Sequence, residues 1–229
     1  MAVSTKGLGV RDKPACLIVC SSHSRGVTAQ SFIHAFTLTS STFNVFLATP
    51  EGKPMDFVDI DDNNRQWVTD FNSKSISMPH RLEAIDASKF IAVLIPSCPG
   101  APFDLANSQY LAAILNAFLK DKKPVCAVGF GVSGLFCTAD KQSHTWPFKD
   151  YSLTAPSVAE LAKRDDFPTQ PFVPSEFIRK HGASYSATKS DSTYVVIDNH
   201  VVSGQSVKST LTAVQNIILL SNARLTKQR

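Results

Sequence analysis

The chain has 229 residues, of which 43% are hydrophobic and 18% are charged, and its formal net charge at pH 7 is +4. This composition is typical of a globular protein and excludes a disordered, collagen-like or coiled-coil chain. So small an excess of basic residues neither requires nor excludes nucleic acid, because a dedicated nucleic-acid binder usually clusters them in a stripe. We expect one domain over residues 1–229, with its core between about residues 14 and 222 and polar ends.

The cysteine content favours a reducing compartment. The number of cysteines is odd, five, and most of them lie in apolar runs (Cys16, Cys20, Cys126 and Cys137). This is not the pattern of a secreted disulfide framework. No long apolar stretch precedes Arg11, so we expect no signal peptide, and no run reaches the ~18 apolar residues of a membrane span. The sequence therefore predicts a cytoplasmic protein.

Short apolar runs alternate along the chain with segments of helical periodicity. The predicted strands are residues 15–20, 44–50, 90–96 and 124–128, and a late hairpin pairs residues 193–197 with 201–202. The predicted helices are residues 28–42, 110–119 and 129–137, with a last helix whose apolar face carries Leu211, Val214, Ile217 and Ile218. The polar segments 56–83 and 140–149 are predicted to be surface insertions.

This alternation of strands and helices predicts an α/β fold. Strands that are apolar along their whole length are buried on both faces, so we expect a doubly wound, mostly parallel sheet with helices on both faces. In such a sheet, ligands bind beyond the carboxyl ends of the strands. The candidate site is therefore formed by the loops at that edge, which are residues 21–26, 49–53, 96–104 and 129–133.

Several motifs in these loops carry a resemblance to a known family. Residues 123–135, which include the turn Gly129-Phe130-Gly131, resemble the nucleophile elbow of the class I glutamine amidotransferase-like superfamily, in its PfpI branch. The other motifs resemble the family's oxyanion loop (95–100, then Asp104-Leu105), its second strand (48–52), its C-terminal hairpin (194–198) and the following polar turn (202–206). The resemblance extends from about Cys16 to the final helix, and it implies a flavodoxin-like sandwich.

The resemblance also shows which chemical positions are vacant. Active members of the family carry a cysteine at the tip of the elbow, often a histidine next to it, and an acidic residue on the first helix. Here these positions fall on Gly129, Phe130 and Gln30. Glycine at the tip relieves a backbone strain of about 1–3 kcal/mol. We therefore expect no catalytic residue, and a vestigial site that consists of these three residues with Ser97 and Cys98.

One enzymatic alternative stays open. Cys98 lies where the family has a glycine near the oxyanion hole, and we expect it to be close to Gly129 and partly exposed. It could act as the nucleophile of a cysteine-dependent hydrolase or deglycase-type enzyme if His23 in the first loop served as its base. The alternative interpretation is a structural thiol. Glu160 matches an acidic helix position of the family, and its simplest interpretation is an exposed helical side chain.

A closer resemblance, carried by residues 29–32, 94–101 and 126–129, points to one group within the superfamily. Members of this group are subunits of a complex on early endosomes that links messenger RNA and ribosomes to a small GTPase. The resemblance implies a peripheral endosomal scaffold that self-associates, contacts RNA and the GTPase indirectly, and does not insert into the membrane. Aromatic residues in the insertions are candidate contact points (Trp67, Phe71, Trp146 and Phe148).

We predict neither a cofactor nor a metal ion. The glycines are too few and wrongly placed for a dinucleotide-binding or phosphate-binding loop. No histidine or cysteine spacing is typical of a zinc site.

Overall fold

The computed structural model describes residues 13–140 and 145–227, so both chain ends and part of the predicted insertion at 140–149 lie outside the described residues. The strands are β1 (Ala15–Val19), β2 (Val27–Thr28), β3 (Asn44–Thr49), β4 (Phe57–Val58), β5 (His80–Arg81), β6 (Ala92–Ile95), β7 (Val125–Val128), β8 (Ser152–Leu153), β9 (Ser184–Tyr185), β10 (Val195–Asp198) and β11 (Val201–Gly204). The α-helices are α1 (Ala29–Thr42), α2 (Arg65–Asn72), α3 (Gln109–Lys120), α4 (Val158–Leu161), α5 (Pro174–Lys180) and α6 (Thr210–Lys227). The 3₁₀ helices are Ser75–Ser77, Leu82–Ala84, Ala87–Lys89, Leu105–Asn107, Gly129–Thr138, Phe167–Thr169 and Val207–Ser209. We call Gly129–Thr138 the elbow helix.

Seven strands form the central sheet, in the order β10-β11-β7-β6-β1-β3-β5. Its pairings are parallel except for that of β10 with β11, which is antiparallel. Helices cover both faces: α1 packs beside α6, and α3 packs beside the elbow helix. The predicted doubly wound, mostly parallel α/β fold is confirmed, and the predicted late hairpin is formed by β10 and β11.

The inner strands are apolar because helices shield them on both sides. Every residue of β6 and β7 is buried, as are the last four residues of β1. Because β11, β7, β6 and β1 are parallel neighbours, their carboxyl ends lie side by side at one edge. The loops that follow these strands therefore meet there, as expected for a ligand-binding edge.

The polar segment at residues 56–83 is more regular than the sequence predicts. It contains α2 and the edge strand β5, which pairs with β3. Helix α2 buries Val68 and Phe71, which are three residues apart and so lie on one helical face. The rest of α2 is mostly exposed and polar. Because these polar residues dominate the segment, the sequence pattern did not reveal the narrow apolar stripe.

The aromatic side chains proposed from the sequence as partner contacts lie mostly inside the protein. Phe71, Trp146 and Phe148 are at most 2% exposed, so their placement on the surface was wrong. Trp67 is partly buried and stacks on Phe71, with ring centroids 5.2 Å apart. The physical reason is the large apolar area of these rings, whose removal from water stabilises the core.

Two of the later helices differ from the prediction in detail. The segment predicted as a helix over residues 129–137 winds as a 3₁₀ helix over Gly129–Thr138. In α6, Val214 and Ile217 are buried as predicted, whereas Leu211 is 41% exposed because the helix turns Ala213 inward. Across the two described ranges, no helix combines the length and the apolar content that a membrane crossing requires.

Candidate functional site

A cleft of about 340 Å³ lies at the carboxyl edge of the sheet. It brings together four residues that the sequence assigned to the vestigial site, namely Gln30, Ser97, Gly129 and Phe130, whereas Cys98 does not line it. The other lining residues are Pro156, Glu160, Lys163, Arg164, Asp191, Gln205, Ser206, Val207 and Lys208. The cleft is therefore built from α1, the β6 loop, the elbow and the segments around α4 and β11.

The tip of the elbow leaves little space for a side chain. Gly129 follows β7 directly and has φ of +55°, a left-handed conformation that residues with a β carbon rarely adopt. A β carbon placed on it would lie 2.5 Å from Ser97 Oγ and 3.0 Å from Ser97 Cβ. A cysteine at this position would therefore be both strained and in collision with Ser97, whose side chain fills the space beside the tip.

Ser97 is held firmly by its backbone while its hydroxyl stays free. Its N–H donates to Ser31 Oγ at 2.9 Å, and its carbonyl accepts from the Thr28 N–H at 2.9 Å. Ser31 Oγ in turn shares a hydrogen bond of 2.9 Å with Thr210 Oγ1 at the start of α6. Ser97 is only 2% exposed, and within the described ranges its hydroxyl has no hydrogen-bond partner.

Phe130 places an apolar ring where an active relative often has an imidazole. The ring is 7% exposed, and the Arg164 guanidinium lies 5.0 Å from its centroid. Arg164 also donates to Asp166, from Nε to Oδ1 at 2.8 Å and from Nη2 to Oδ2 at 3.1 Å. These hydrogen bonds, with a further ion pair of 2.6 Å from Arg25, lower the pKa of Asp166. A permanently charged guanidinium and a phenyl ring cannot relay a proton at neutral pH.

The one acidic helix residue flagged by the sequence, Glu160, has a structural role. Its Oε2 accepts from the Ser157 N–H at 2.8 Å and from Ser157 Oγ at 3.0 Å, which caps α4. The same oxygen accepts from Gln205 Nε2 at 2.9 Å. Gln205 is fully buried, and its Oε1 accepts from the Thr188 N–H at 2.8 Å. Glu160 is thus partly buried in the cleft wall rather than exposed.

Cys98 lies inside the protein and not in the cleft. It is fully buried, which corrects the expectation of partial exposure. Its thiol packs against Cys20, and burial together with this contact raises the pKa of Cys20. His23, the proposed base, stacks on Phe103 with centroids 4.7 Å apart, and its Nδ1 accepts from the Arg25 N–H at 3.2 Å. The described residues contain no hydrogen bond between Cys98 and His23.

The first loop owes its conformation to a half-buried carboxylate from the neighbouring loop. Asp104 Oδ2 accepts from Ser21 Oγ and the Ser22 N–H, both at 2.9 Å, and from the His23 N–H at 3.2 Å. Burial raises the pKa of Asp104, against the opposing effect of these hydrogen bonds. This carboxylate therefore ties the loop after β1 to the loop after β6 and fixes the edge of the site.

The other cysteines have the environment of structural thiols. Burial raises the pKa of Cys16 to about 12, and it also raises the pKa of Cys126 and of Cys137. A raised pKa disfavours the thiolate, which is the nucleophilic and metal-binding form. Within residues 13–140 and 145–227, no three His, Cys, Asp or Glu side chains form a group that could hold a metal ion.

Much of the cleft wall was not foreseen from the sequence. Lys163, Arg164 and Asp191 come from polar segments without periodicity, so no pattern placed them at the sheet edge. A usable signal did exist at the polar turn before the last helix, which contributes Gln205 and Lys208. The turn follows the carboxyl end of β11, and this is the position from which site residues come in parallel sheets.

Comparison with known proteins places this geometry in context. The chain is 50% identical over 222 residues to glutamine amidotransferase-like class 1 domain-containing protein 1 of Xenopus laevis, covering 97% of this chain and 96% of that protein. No protein-family model matches the chain. Among solved structures it is similar to glyoxalase III from Candida albicans, with a TM-score of 0.79, 16% identity and coverage of 90% and 96%. It is also similar to a ThiJ/PfpI domain protein from Brachyspira murdochii, with a TM-score of 0.66, 14% identity and coverage of 93% and 98%. At these low identities the solved structures show a common fold alone.

Proposed function

Because this chain belongs to the family of glutamine amidotransferase-like class 1 domain-containing protein 1, we propose that it is a catalytically silent amidotransferase-like module that works as an assembly subunit. In this proposal the α/β scaffold is kept as a rigid body that partners recognise, while the chemistry of active relatives is lost. The associated role is that of a peripheral subunit of an early-endosomal complex that links messenger RNA and ribosomes to a small GTPase.

The observation that carries the proposal is the contact between the elbow and the neighbouring loop. Gly129 has no side chain, and a β carbon there would lie 2.5 Å from Ser97 Oγ. A side chain at the tip would have to displace the Ser97 hydroxyl, so both the missing thiol and the packing of the neighbouring loop support a tip without a nucleophile. Phe130 and Gln30 supply neither a general base nor an acid beside it.

An activity assay tests the silent site against the cysteine-dependent alternative. We expect wild-type protein to turn over small esters, glyoxals and amides no faster than buffer, because none of the described residues places an activated nucleophile in the cleft. The Cys98→Ser variant should give the same result. Turnover by wild-type protein that Cys98→Ser abolishes would contradict the proposal and support an enzyme that uses Cys98.

A purification experiment tests the assembly role. Tagged protein recovered from cells at mild salt should carry large endosomal subunits, with the tag alone as the control. Because RNA contact is proposed to be indirect, nuclease treatment should remove messenger RNA and ribosomes but leave the protein subunits bound. Recovery of a lone monomer would overturn this role, and tight RNA binding by the isolated chain would overturn the indirect link.

A further inference from the structure

A second cavity, of about 290 Å³, lies at the edge of the sheet opposite the cleft. Three basic side chains line it, and they come from separate parts of the chain: Lys89 precedes β6, Lys123 precedes β7, and Arg224 lies near the end of α6. The first two meet because β6 and β7 are parallel neighbours, so that their amino ends lie together. No acidic residue is among the described residues that line this cavity, which we call the basic pocket.

The positive charge of the basic pocket is only weakly compensated. Within residues 13–140 and 145–227, neither Lys89 nor Arg224 makes an ion pair. Lys123 Nζ lies 3.9 Å from Asp121 Oδ2, which is a long distance for an ion pair. Asp121 and a second carboxylate near these lysines, Asp86, are both exposed, so water and salt screen their charges.

A neighbouring histidine shows the effect of the same positive charge. His200 directly precedes β11, is half-buried and has a lowered pKa. Burial is the largest cause, and the charges of Lys122 and Arg224 lower the pKa further, against a smaller opposite effect of Asp198. The electrostatic potential around Arg224 is therefore positive, and a positive potential attracts anions.

The basic pocket also has hydrogen-bond donors that the fold does not use. Arg224 carries five N–H groups, and its Nη1 donates to the Lys122 carbonyl at 3.0 Å. Lys89 is exposed, and its ammonium group has no hydrogen bond in the described part of the chain. Lys123 is held in place, because its side chain is 12% exposed and its Nζ donates to the Ala87 carbonyl at 3.0 Å. One fixed cation beside two cations with free donors suits a phosphate group, which accepts several charged hydrogen bonds.

Helix stability explains only part of this cluster. Arg224 lies in the last turn of α6, where a cation stabilises the carboxyl end of a helix. Lys89 instead ends the single 3₁₀ turn Ala87–Lys89, whose dipole is small because it is so short. The charge of Lys89 therefore has no structural role comparable to that of Arg224, and it is the more informative residue to vary.

We propose that the basic pocket binds a phosphate group, carried either by a small soluble molecule or by a lipid headgroup. Lys123 provides a fixed positive charge in the wall, Arg224 offers the planar donors, and Lys89 adds an exposed charge at the rim. This proposal does not rest on the assembly role, because the basic pocket and the elbow lie at opposite edges of the sheet.

A calorimetric titration of the full chain with pyrophosphate, at ionic strength held constant with sodium chloride, measures binding of the soluble form. We expect saturable binding to wild-type protein. Arg224→Gln should weaken it about tenfold, because charged hydrogen bonds are lost. Lys89→Gln should weaken it about threefold, because an exposed charge is partly screened. Arg224→Lys keeps the charge but not the planar donors, so its loss should lie between these two.

Lys208→Gln is the matched control, since it removes one exposed positive charge at the opposite edge, in the wall of the cleft beside Gly129. It should leave the affinity for pyrophosphate unchanged. Equal losses from Lys89→Gln and Lys208→Gln would show general attraction to a basic protein, and a loss from Lys208→Gln alone would place the site in the cleft. Either result would overturn the proposal. Thermal melting of each variant shows that it is folded.

Co-sedimentation with vesicles distinguishes the two sources of the phosphate group. The vesicles consist of phosphatidylcholine, with or without a phosphatidylinositol phosphate. Sedimentation that requires this lipid and is weakened by Lys89→Gln assigns the basic pocket to a lipid headgroup. Saturable pyrophosphate binding without sedimentation assigns it to a soluble ligand. Binding of wild-type protein to neither probe would overturn the proposal.

Discussion

At the scale of single residues, the left-handed glycine at the elbow combines two effects that can be separated. Replacing Gly129 by alanine should destabilise the fold by about 1–3 kcal/mol through backbone strain, and by a further ~1–3 kcal/mol through the collision with Ser97. The double variant with Ser97→Gly should recover the second part alone. Free energies of unfolding from denaturant titrations, combined in a double-mutant cycle, measure the coupling.

Gly182 offers a matched control for this cycle. Its φ is +85°, yet a β carbon there would meet only Lys149 Cβ, at an ordinary 3.6 Å. Gly182→Ala should therefore show the strain without the collision, and Ser97→Gly should not relieve it. If the changes in unfolding free energy caused by Gly129→Ala and Ser97→Gly are additive, the close contact between the two residues is not what disfavours a side chain at residue 129.

The cysteines allow a second prediction at this scale. In native protein, a thiol reagent should modify Cys137 first, since it is the one partly exposed thiol among the described residues. Even this reaction should be slow, because burial raises the pKa of Cys137, which donates to the Gly134 carbonyl at 3.0 Å. Mass spectrometry after timed labelling measures the order. Rapid modification of Cys98 in native protein would support the cysteine-dependent alternative. Labelling of Cys98 and the other buried cysteines only after unfolding would contradict that alternative.

At the scale of elements, Asp166 fastens the segment after α4 to the loop after β1. It accepts from Arg25, Arg164 and, at 3.2 Å, from Gln170 Nε2, while Arg25 Nη2 also donates to Thr169 Oγ1 at 2.8 Å. This segment carries the Arg164 side chain that covers Phe130. The fastening therefore controls one wall of the cleft.

The lowered pKa of Asp166 gives this fastening a pH dependence. A carboxylate with a depressed folded pKa stabilises the native state fully above its unfolded pKa of about 3.9, and the contribution is lost as the pH falls through the lower folded value. Denaturant titrations from pH 6 downward should therefore show a loss below about pH 4–5 that Asp166→Asn removes. The exposed neighbour Asp165 is the control, and an Asp165→Asn variant with the same pH profile as Asp166→Asn would contradict the assignment.

Sequence patterns predicted the elements whose burial is uniform. The strands β1, β6 and β7 were predictable because continuous apolar runs report burial on both faces. The elbow was predictable from its glycine-rich turn after β7. Helix α2 was missed because its apolar stripe is only two residues wide. Cys98 was misjudged because adjacent loop residues differ in orientation: Ser97 lines the cleft and Cys98 packs on Cys20. The charged residues of the cleft wall lie in segments without hydrophobic periodicity, so the sequence does not indicate that these segments pack at the sheet edge.

At the scale of the whole molecule, we expect self-association. Four exposed side chains lie on β5, on the strand β3 that pairs with it, or in the residues just before β5, and we call them the edge patch (Phe46, Ile76, Met78 and His80). An edge strand with apolar neighbours is a surface that a second copy can cover. Sedimentation analysis should therefore give a mass of at least twice 24.9 kDa.

The edge patch can be tested with a matched pair of variants. Met78→Glu should shift the protein towards monomer, because Met78 is 63% exposed within the patch. Leu219→Glu is the control, since Leu219 is 65% exposed on α6. Equal behaviour of the two variants would move the interface elsewhere, and a wild-type protein that stays monomeric on concentration would contradict self-association.

The contact between Ser97 and the elbow also determines the order in which substitutions at residues 97 and 129 could restore a thiol at the tip during evolution. If a cysteine at residue 129 arose first, its β carbon would collide with the Ser97 side chain, and this intermediate would be both destabilised and inactive. If Ser97→Gly came first, the later cysteine at residue 129 would no longer collide with it. That first substitution adds no activity, so selection would not favour it. Restoring a thiol at the tip therefore needs two coordinated changes, and the direct path runs through the less stable intermediate.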